Sequence, residues 1–418
     1  MQLNAILNRV AKCKSFVYQT PKFVETILGF TIEIPIKPRA NSQPICSVCQ
    51  QHCPGYDHMP EPRRFDFIPL WGIAVVLIYT LRRVECKQCG VKVEQVPWAQ
   101  GKSPLTIQYQ WFLAKWAKRL SWQETADAFG ASWDNVALAV KMAVEWGLAH
   151  RSLEGIRSIG IDEISWKVGH TYLTLVYQID EGCKRLLWIG EQRTTKTLLK
   201  FFRMLGQERS DLLEFVCSDM WKPYLKVIAK KAKNALNILD RFHIVKKLNE
   251  AIDKVRAEES RRLLKDGYEQ VLKNSRWCLL KHYWNLTAKQ TVKLKEILKY
   301  NLKTVRAYLL KEDFHLFWEY DSPYWADRFL SDWCTRTMRS KIEPMKTVAR
   351  TLRNHRPLIM NWFRAKKELS SGIVEGFNTK VKLTLRKSYG WKTYKIAETS
   401  LYHNLADLPE PDLTHRFA

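Results

Sequence analysis

The sequence predicts a mixed α/β protein, with small modules ahead of an α/β core. Three observations carry that expectation. Four cysteines fall into two CxxC pairs, CSVC at 46–49 and CKQC at 86–89. A run of helical periods with a capping-box pattern occupies residues 106–150. From residue 157 onward, strand and helix patterns follow the order β-β-β-α-β-α-β-α.

Bulk composition narrows the partners. The chain has 418 residues, with 68 Lys and Arg against 42 Asp and Glu, a net charge of +26. So large a surplus favours a polyanion, because each neutralised phosphate releases a counterion. The first residues, MQLNAILNRVAKCK, lack the apolar core and small-residue cleavage site of a secretory signal. The longest apolar run, FIPLWGIAVVLIYTL at 67–81, is interrupted by Pro69 and Gly72 and is too short to span a bilayer comfortably. Its Ile73, Val75, Leu77, Tyr79 and Leu81 alternate like one face of a strand. The expected location is therefore cytoplasmic and nucleoid-associated, without a membrane partner. Ten cysteines then read as reduced thiols or metal ligands.

After an N-terminal arm (1–40), residues 41–100 read as a zinc-ribbon-like domain. Thiolates two apart on a tight turn can face one ion, and two such turns complete a tetrahedron. Cys46, Cys49, Cys86 and Cys89 are the expected structural zinc ligands, with Cys53, His52 and His58 close enough to alter the set. Residues 101–152 read as a helix-turn-helix. Trp111, Leu113, Trp116 and Leu120 mark one helix, Ser121 and Glu124 cap a second, Gly130 ends it, and Ser132 caps a third. The segment fits either a helical spacer or a DNA reader; if it reads DNA, exposed residues opening the third helix, Trp133, Asp134 and Asn135, would face bases.

In the α/β segment, RSIGIDEIS, HTYLTLVYQID and KRLLWIG form a three-strand meander. TTKTLLKFFRML is a helix, EFVCSD a strand, WKPYLKVIAKKA a helix and NALNILD a strand. Two strands end on carboxylates: Asp219 and Asp240. The ordinary reading of such an Asp is a helix cap.

The element order resembles the ribonuclease-H-like fold, with Asp162 on the first strand and Asp219, 57 residues later, after the fourth. In SSGIVEGFNTKVKLTLRKSYGW (370–391), Glu375 stands near a helix start, with Asn378, Lys382 and Arg386 on roughly its face. These segments, with SDMWKPY, LDRFHIVKKLNEAIDKVR, SRWCLL followed by NLT, and VPWA, are similar to DDE transposases of the bacterial ISL-three insertion-sequence family. The resemblance covers nearly the whole chain. It implies a catalytic core in two parts, 153–245 and 367–418, around an all-helical insertion at 246–366.

The resemblance further implies that Asp162, Asp219 and Glu375 are catalytic and hold two Mg²⁺ ions, for which Mn²⁺ substitutes. Hard divalent cations prefer such oxygens. Glu163, next to Asp162, would point to the opposite strand face. Asp240 and His243 of DRFH would support the acids. Trp133, Asn135, Lys382 and Arg386 would contact DNA. The implied partners are double-stranded DNA, as transposon ends and target, and a second copy of the chain in a homodimer or larger assembly. Two other functions fit parts of the sequence: a catalytically inactive DNA-binding regulator, and a structure-specific nuclease of the same fold.

Overall fold

The structure is a computed structural model that describes residues 3–26, 29–167, 171–366, 372–388 and 390–412. The chain divides into two compact units. One comprises the chain up to Ser152 with the segment from Val381 onward, and the other runs from Leu153 to Lys380.

The first unit opens with α1 (Leu3–Val10), β1 (Phe16–Tyr18), β2 (Lys22–Thr26) and β3 (Gly29–Pro38). It continues with β4 (Gly55–His58), β5 (Arg63–Leu70), β6 (Ile73–Tyr79), β7 (Arg82–Cys86) and β8 (Gly90–Val93). These strands form two sheets. One has the order β1-β3-β6-β5, with β2 also on β3, and the other has the order β4-β7-β8. The apolar run at 67–81 thus leaves the cysteine sheet and pairs with the first forty residues. The reason is hydrophobic. Ile32, Ile34 and Ile36 of β3 lie on the same buried side as Val75, Leu77 and Tyr79, around Trp98. Phe16, Tyr79 and Trp98 close that core with edge-to-face ring contacts.

Three helices follow: α2 (Ile107–Ala117), α3 (Trp122–Phe129) and α4 (Trp133–His150). Ser121 and Glu124 form a reciprocal capping box on α3, and Gly130 ends that helix at φ 66°. Ser132 accepts from the Asn135 N–H and so starts α4. Val136, Ala139, Val140 and Ala143 form the buried stripe of α4.

The second unit is built on β9 (Ser158–Lys167), β10 (Thr171–Asp180), β11 (Cys183–Glu191), β12 (Phe215–Ser218) and β13 (Leu236–Leu239). The sheet order is β11-β10-β9-β12-β13. β10 runs antiparallel to both its neighbours, whereas β12 is parallel to both β9 and β13. Helices α5 (Thr195–Leu205), α6 (Gln207–Asp211) and α7 (Lys222–Lys231) connect the strands. Ile159, Ile161 and Val216 bury one sheet face against Leu198, Phe201 and Ile228 of α5 and α7.

Helix α8 (Arg241–Lys265) begins directly after β13 and leads into a helical block. The block contains α9 (Arg276–Leu280), α10 (Ala288–Ile297), α11 (Lys303–His315), α12 (Pro323–Arg339), α13 (Glu343–Asn354) and α14 (Arg356–Arg364). Its core gathers Leu248, Ile252, Phe314, Phe317, Trp333 and Met345. Trp333 satisfies its indole N–H on the Leu310 carbonyl, which lets a polar ring sit at full burial.

Helix α15 (Gly372–Lys387) then covers the second sheet face, and α16 (Tyr394–Leu405) belongs to the first unit. Gly160 permits the approach of α15. A Cβ there would meet Val374 Cγ2 at 2.5 Å. Phe377, one turn on, stacks on Tyr177 at 4.6 Å between centroids. Among the described residues, no helix is long and apolar enough to cross a membrane.

Candidate functional site

Two clusters stand out, one of thiols and one of carboxylates. Cys46 and Cys49 lie on a turn held by the Gln50 N–H on the Cys46 carbonyl, with Gln50 at φ 61°. Cys86 ends β7 and Gly90 opens β8 at φ 71°, so the second turn reverses within CKQCG. The Sγ atoms of Cys46, Cys49, Cys86 and Cys89 all lie within 4.8 Å of one another, and Cys49 and Cys86 are 3.5 Å apart. Tetrahedral zinc needs sulfur pairs about 3.8 Å apart. Backbone N–H groups of Cys89 and Gln88 pull the Cys86 thiol down to about 6, and those of Cys49 and Val48 lower Cys46. Cys89 is pushed up to about 12, first by burial and then by its thiol neighbours. Four sulfurs with pre-aimed backbone donors fit a closed zinc site. The Cys53 thiol instead points at the Gln51 carbonyl, 3.4 Å away. Among the described residues, this is the one group of three or more His, Cys, Asp or Glu so tightly gathered.

The carboxylates gather where parallel strands end. Phe215, Val216 and Cys217 of β12 pair with Ser158, Ile159 and Gly160 of β9. Continued by two residues, that register sets Asp219 level with Asp162. Ser218 pairs with Leu239, which brings Asp240 alongside as the first residue after β13. The Asp240 N–H donates to the Ser218 carbonyl at 2.9 Å. Asp240 also caps α8, accepting from the Phe242 N–H at 2.8 Å.

Adjacent acids on β9 face opposite ways, as the pleat requires. Asp162 is 8% exposed and points toward α15, where Asn378 Nδ2 donates to its Oδ2. Its Oδ1 accepts from the Glu163 N–H at 2.7 Å. Asn378 in turn accepts from the Tyr177 hydroxyl at 3.1 Å, so its amide is oriented. Burial raises the Asp162 carboxyl above the usual range, and the Asp240 charge adds to the rise. The Glu163 N–H, His243 and Asn378 oppose it. His243 Nδ1 lies 3.9 Å from Asp240 and has no hydrogen-bond partner among the described residues.

Glu163 lies on the α5–α7 face. Arg193 Nε donates to its Oε1 at 3.0 Å, and Arg193 Nη2 donates to Asp219 Oδ2 at 2.6 Å. The guanidinium also sits 4.5 Å from the Trp221 ring centroid. Asp219 Oδ1 takes the Trp221 N–H at 2.8 Å. Glu163 is pushed up to about 8, first by burial and then by Asp219. One arginine thus offsets two crowded acids. Sequence reasoning missed Arg193. It follows Gln192, at φ 70°, in the turn from β11 to α5, and nothing in EQRTT names partners 30 residues before and 26 after it.

Glu375 lies on α15 one turn before Asn378 and is exposed. Its backbone carbonyl accepts from the Thr379 hydroxyl. Asp162, Asp219 and Glu375 are not drawn as close together as the four thiols. Further along the helix, Lys382 and Arg386 are exposed. Trp133 is exposed at the start of α4 and Asn135 is half-buried. Ser370, Ser371 and Tyr389 of the long C-terminal motif lie outside the described residues. The acids suit hard cations in chemistry. Asp162 is buried without a full counter-charge, and the unpartnered His243 nitrogen stands nearby.

A family model described as a transposase, that of ISL3-type DDE enzymes, matches residues 159–399, more than half the chain. By class, the protein is a transposase. Within that class the chain belongs to the ISL-three family of insertion-sequence transposases. It is 29% identical over 367 residues to the transposase for insertion sequence element IS1001 of Bordetella parapertussis, covering 87% of this chain and 89% of the relative. It is 28% identical over 391 residues to the transposase for IS1557 of Mycobacterium tuberculosis, covering 87% and 86%.

Proposed function

We propose that the chain binds the terminal inverted repeats of an insertion sequence and cuts and joins DNA at its ends. Asp162, Asp219 and Glu375 are the acting carboxylates of a ribonuclease-H-like core. The observation that carries this reading is the placement of Asp162 within β9 and of Asp219 and Asp240 just past the ends of the neighbouring parallel strands β12 and β13. The strand order β11-β10-β9-β12-β13 supports the core assignment. The same acids would hold divalent cations. Bound Mg²⁺ supplies charge that sharpens an attacking oxygen and stabilises a leaving one.

The protein's own groups set up that chemistry. Asn378 keeps one Asp162 oxygen oriented, and Arg193 keeps Glu163 and Asp219 from repelling each other. Water attacks phosphorus at an element end, and the 3′ oxygen leaves as a free hydroxyl. That hydroxyl then attacks a phosphorus of target DNA, displacing a target 3′ oxygen. Exposed Lys382 and Arg386 on α15 would track the phosphate backbone, while Trp133 and Asn135 would read bases at the start of α4. His243 favours the charged form of Asp162, while Asp240 caps α8 beside it. The four thiols hold structural zinc, and pairing of two DNA ends calls for at least two copies of the chain.

The test is a plasmid cleavage and strand-transfer assay with Asp219→Asn. The expected result is a loss of about 10²–10³-fold or more in cleavage, the scale of removing a charge stabiliser from a phosphoryl or acyl transfer site. DNA binding should be retained. Cleavage at the normal rate would rule the mechanism out, and equal DNA binding by the parent protein with and without Mg²⁺, with no cleavage of a repeat-bearing substrate, would favour the inactive regulator.

A further inference from the structure

In the first unit, an open cleft of about 670 Å³ lies between the starts of α3 and α4, the end of α15 and residues 390–392. Its lining includes Trp122, Trp133 and Trp391, with Ser121, Lys387 and Lys392. Trp122 and Trp133 are each the first residue of a serine-capped helix, so the caps set where the indoles project. Their ring centroids are 5.4 Å apart and their planes are inclined by 50°. Trp391 forms a rigid wall, being 7% exposed. Gly390, at φ 94°, makes the turn that brings Trp391 there. Lys387 Nζ is held on the Arg119 carbonyl at 2.6 Å.

The cleft is open to solvent on one side, which leaves Trp122 half-buried and Trp133 exposed against the buried Trp391. The volume falls in the range of small-ligand pockets. Indole faces take flat π-systems, and lysines at the rim take an anion. A nucleobase with its phosphate has both features. The source is DNA rather than a free nucleotide, because the cavity opens at the first turn of α4, where the proposed base-reading residues Trp133 and Asn135 stand. We propose that this cavity receives one unpaired DNA base, stacked on Trp122 with its phosphate near Lys392. The inference rests on the DNA-binding part of the proposed function and not on its cleavage chemistry.

The test uses the full-length protein and a mixed-sequence duplex, with and without a single bulged 2-aminopurine. The bulged duplex should bind about tenfold more tightly, the scale of one base–aromatic stack, and its probe fluorescence should be quenched. Trp122→Leu should bring the two affinities within about twofold of each other while leaving the paired duplex bound as before, and Trp122→Phe should keep most of the preference. Equal affinities in the parent protein, or an unchanged preference in Trp122→Leu, would overturn the pocket and leave the cleavage reading intact. Displacement of the bulged probe by equimolar free dAMP would overturn the choice of DNA as the source. Failure to bind either duplex would sink both this inference and the DNA reading of the chain.

Discussion

Asn378 shows how one amide governs a buried acid. On the proposed reading Asp162 gives up its proton to accept a cation, while burial raises its carboxyl and Asn378 counters that rise. Removing the amide leaves burial less opposed, so the carboxyl should titrate at higher pH. Asn378→Leu is therefore expected to move the acid limb of the pH–cleavage profile upward, with rates converging toward the parent at high pH. An unshifted limb would assign Asn378 to packing alone. Its position on the Glu375 face was legible from helical spacing. Its partner was not, because Asp162 lies 216 residues earlier in the chain. Arg193 illustrates the same limit more severely, since its partners lie within β9 and just after β12.

At the scale of elements, α15 and α16 make different demands. α15 can lie on the sheet only because Gly160 has no side chain. Gly160→Ala should cost about 1–3 kcal/mol by overpacking, measured by urea unfolding. Cleavage should fall further than stability alone explains, because Glu375 and Asn378 ride on the displaced helix. α16 buries His403 in the first unit, where burial pulls its imidazole down to about 3. The sign follows from linkage. The unfolded chain binds a proton as pH falls below about 6.5, while the folded state resists until about 3. Stability is thus whole above about 6.5 and is lost as pH falls through that window. His403→Phe should flatten this acid-side loss in thermal melts taken from pH 7 to pH 4, and an unchanged slope would exclude the histidine as its source. Such burial has no sequence signature, whereas the capping box of α3 and the stripe of α4 were plain from three- and four-residue spacings.

For the whole molecule, the thiol cluster joins residues 46–49 to 86–89 and so ties β7 and β8 to the turn before β4. Purified protein should carry one zinc per chain by metal analysis. Cys86→Ser, or a strong chelator, should remove the metal and lower the melting temperature of the first unit. Unchanged melting after metal loss would make the thiols incidental. Binding of a duplex should weaken along with that unit if the zinc module supports DNA recognition. The strong net charge of +26 is a property of the same scale, set by composition and indifferent to detailed packing.

By itself, the sequence determined the local grammar of this protein: the two cysteine knuckles, the capped helices, the alternating strands and the surplus of positive charge. Each depends on neighbours a few residues apart, or on a simple sum over the chain. Only the tertiary structure decided that the run at 67–81 joins β3 instead of the cysteine sheet, because that choice turns on which apolar face buries which. It likewise decided that Glu163 and Asp219 share Arg193 while Asp162 turns to Asn378. Those pairings arise from the pleat of one strand and the helices packed on its two sides. No spacing along the chain records which side meets which helix.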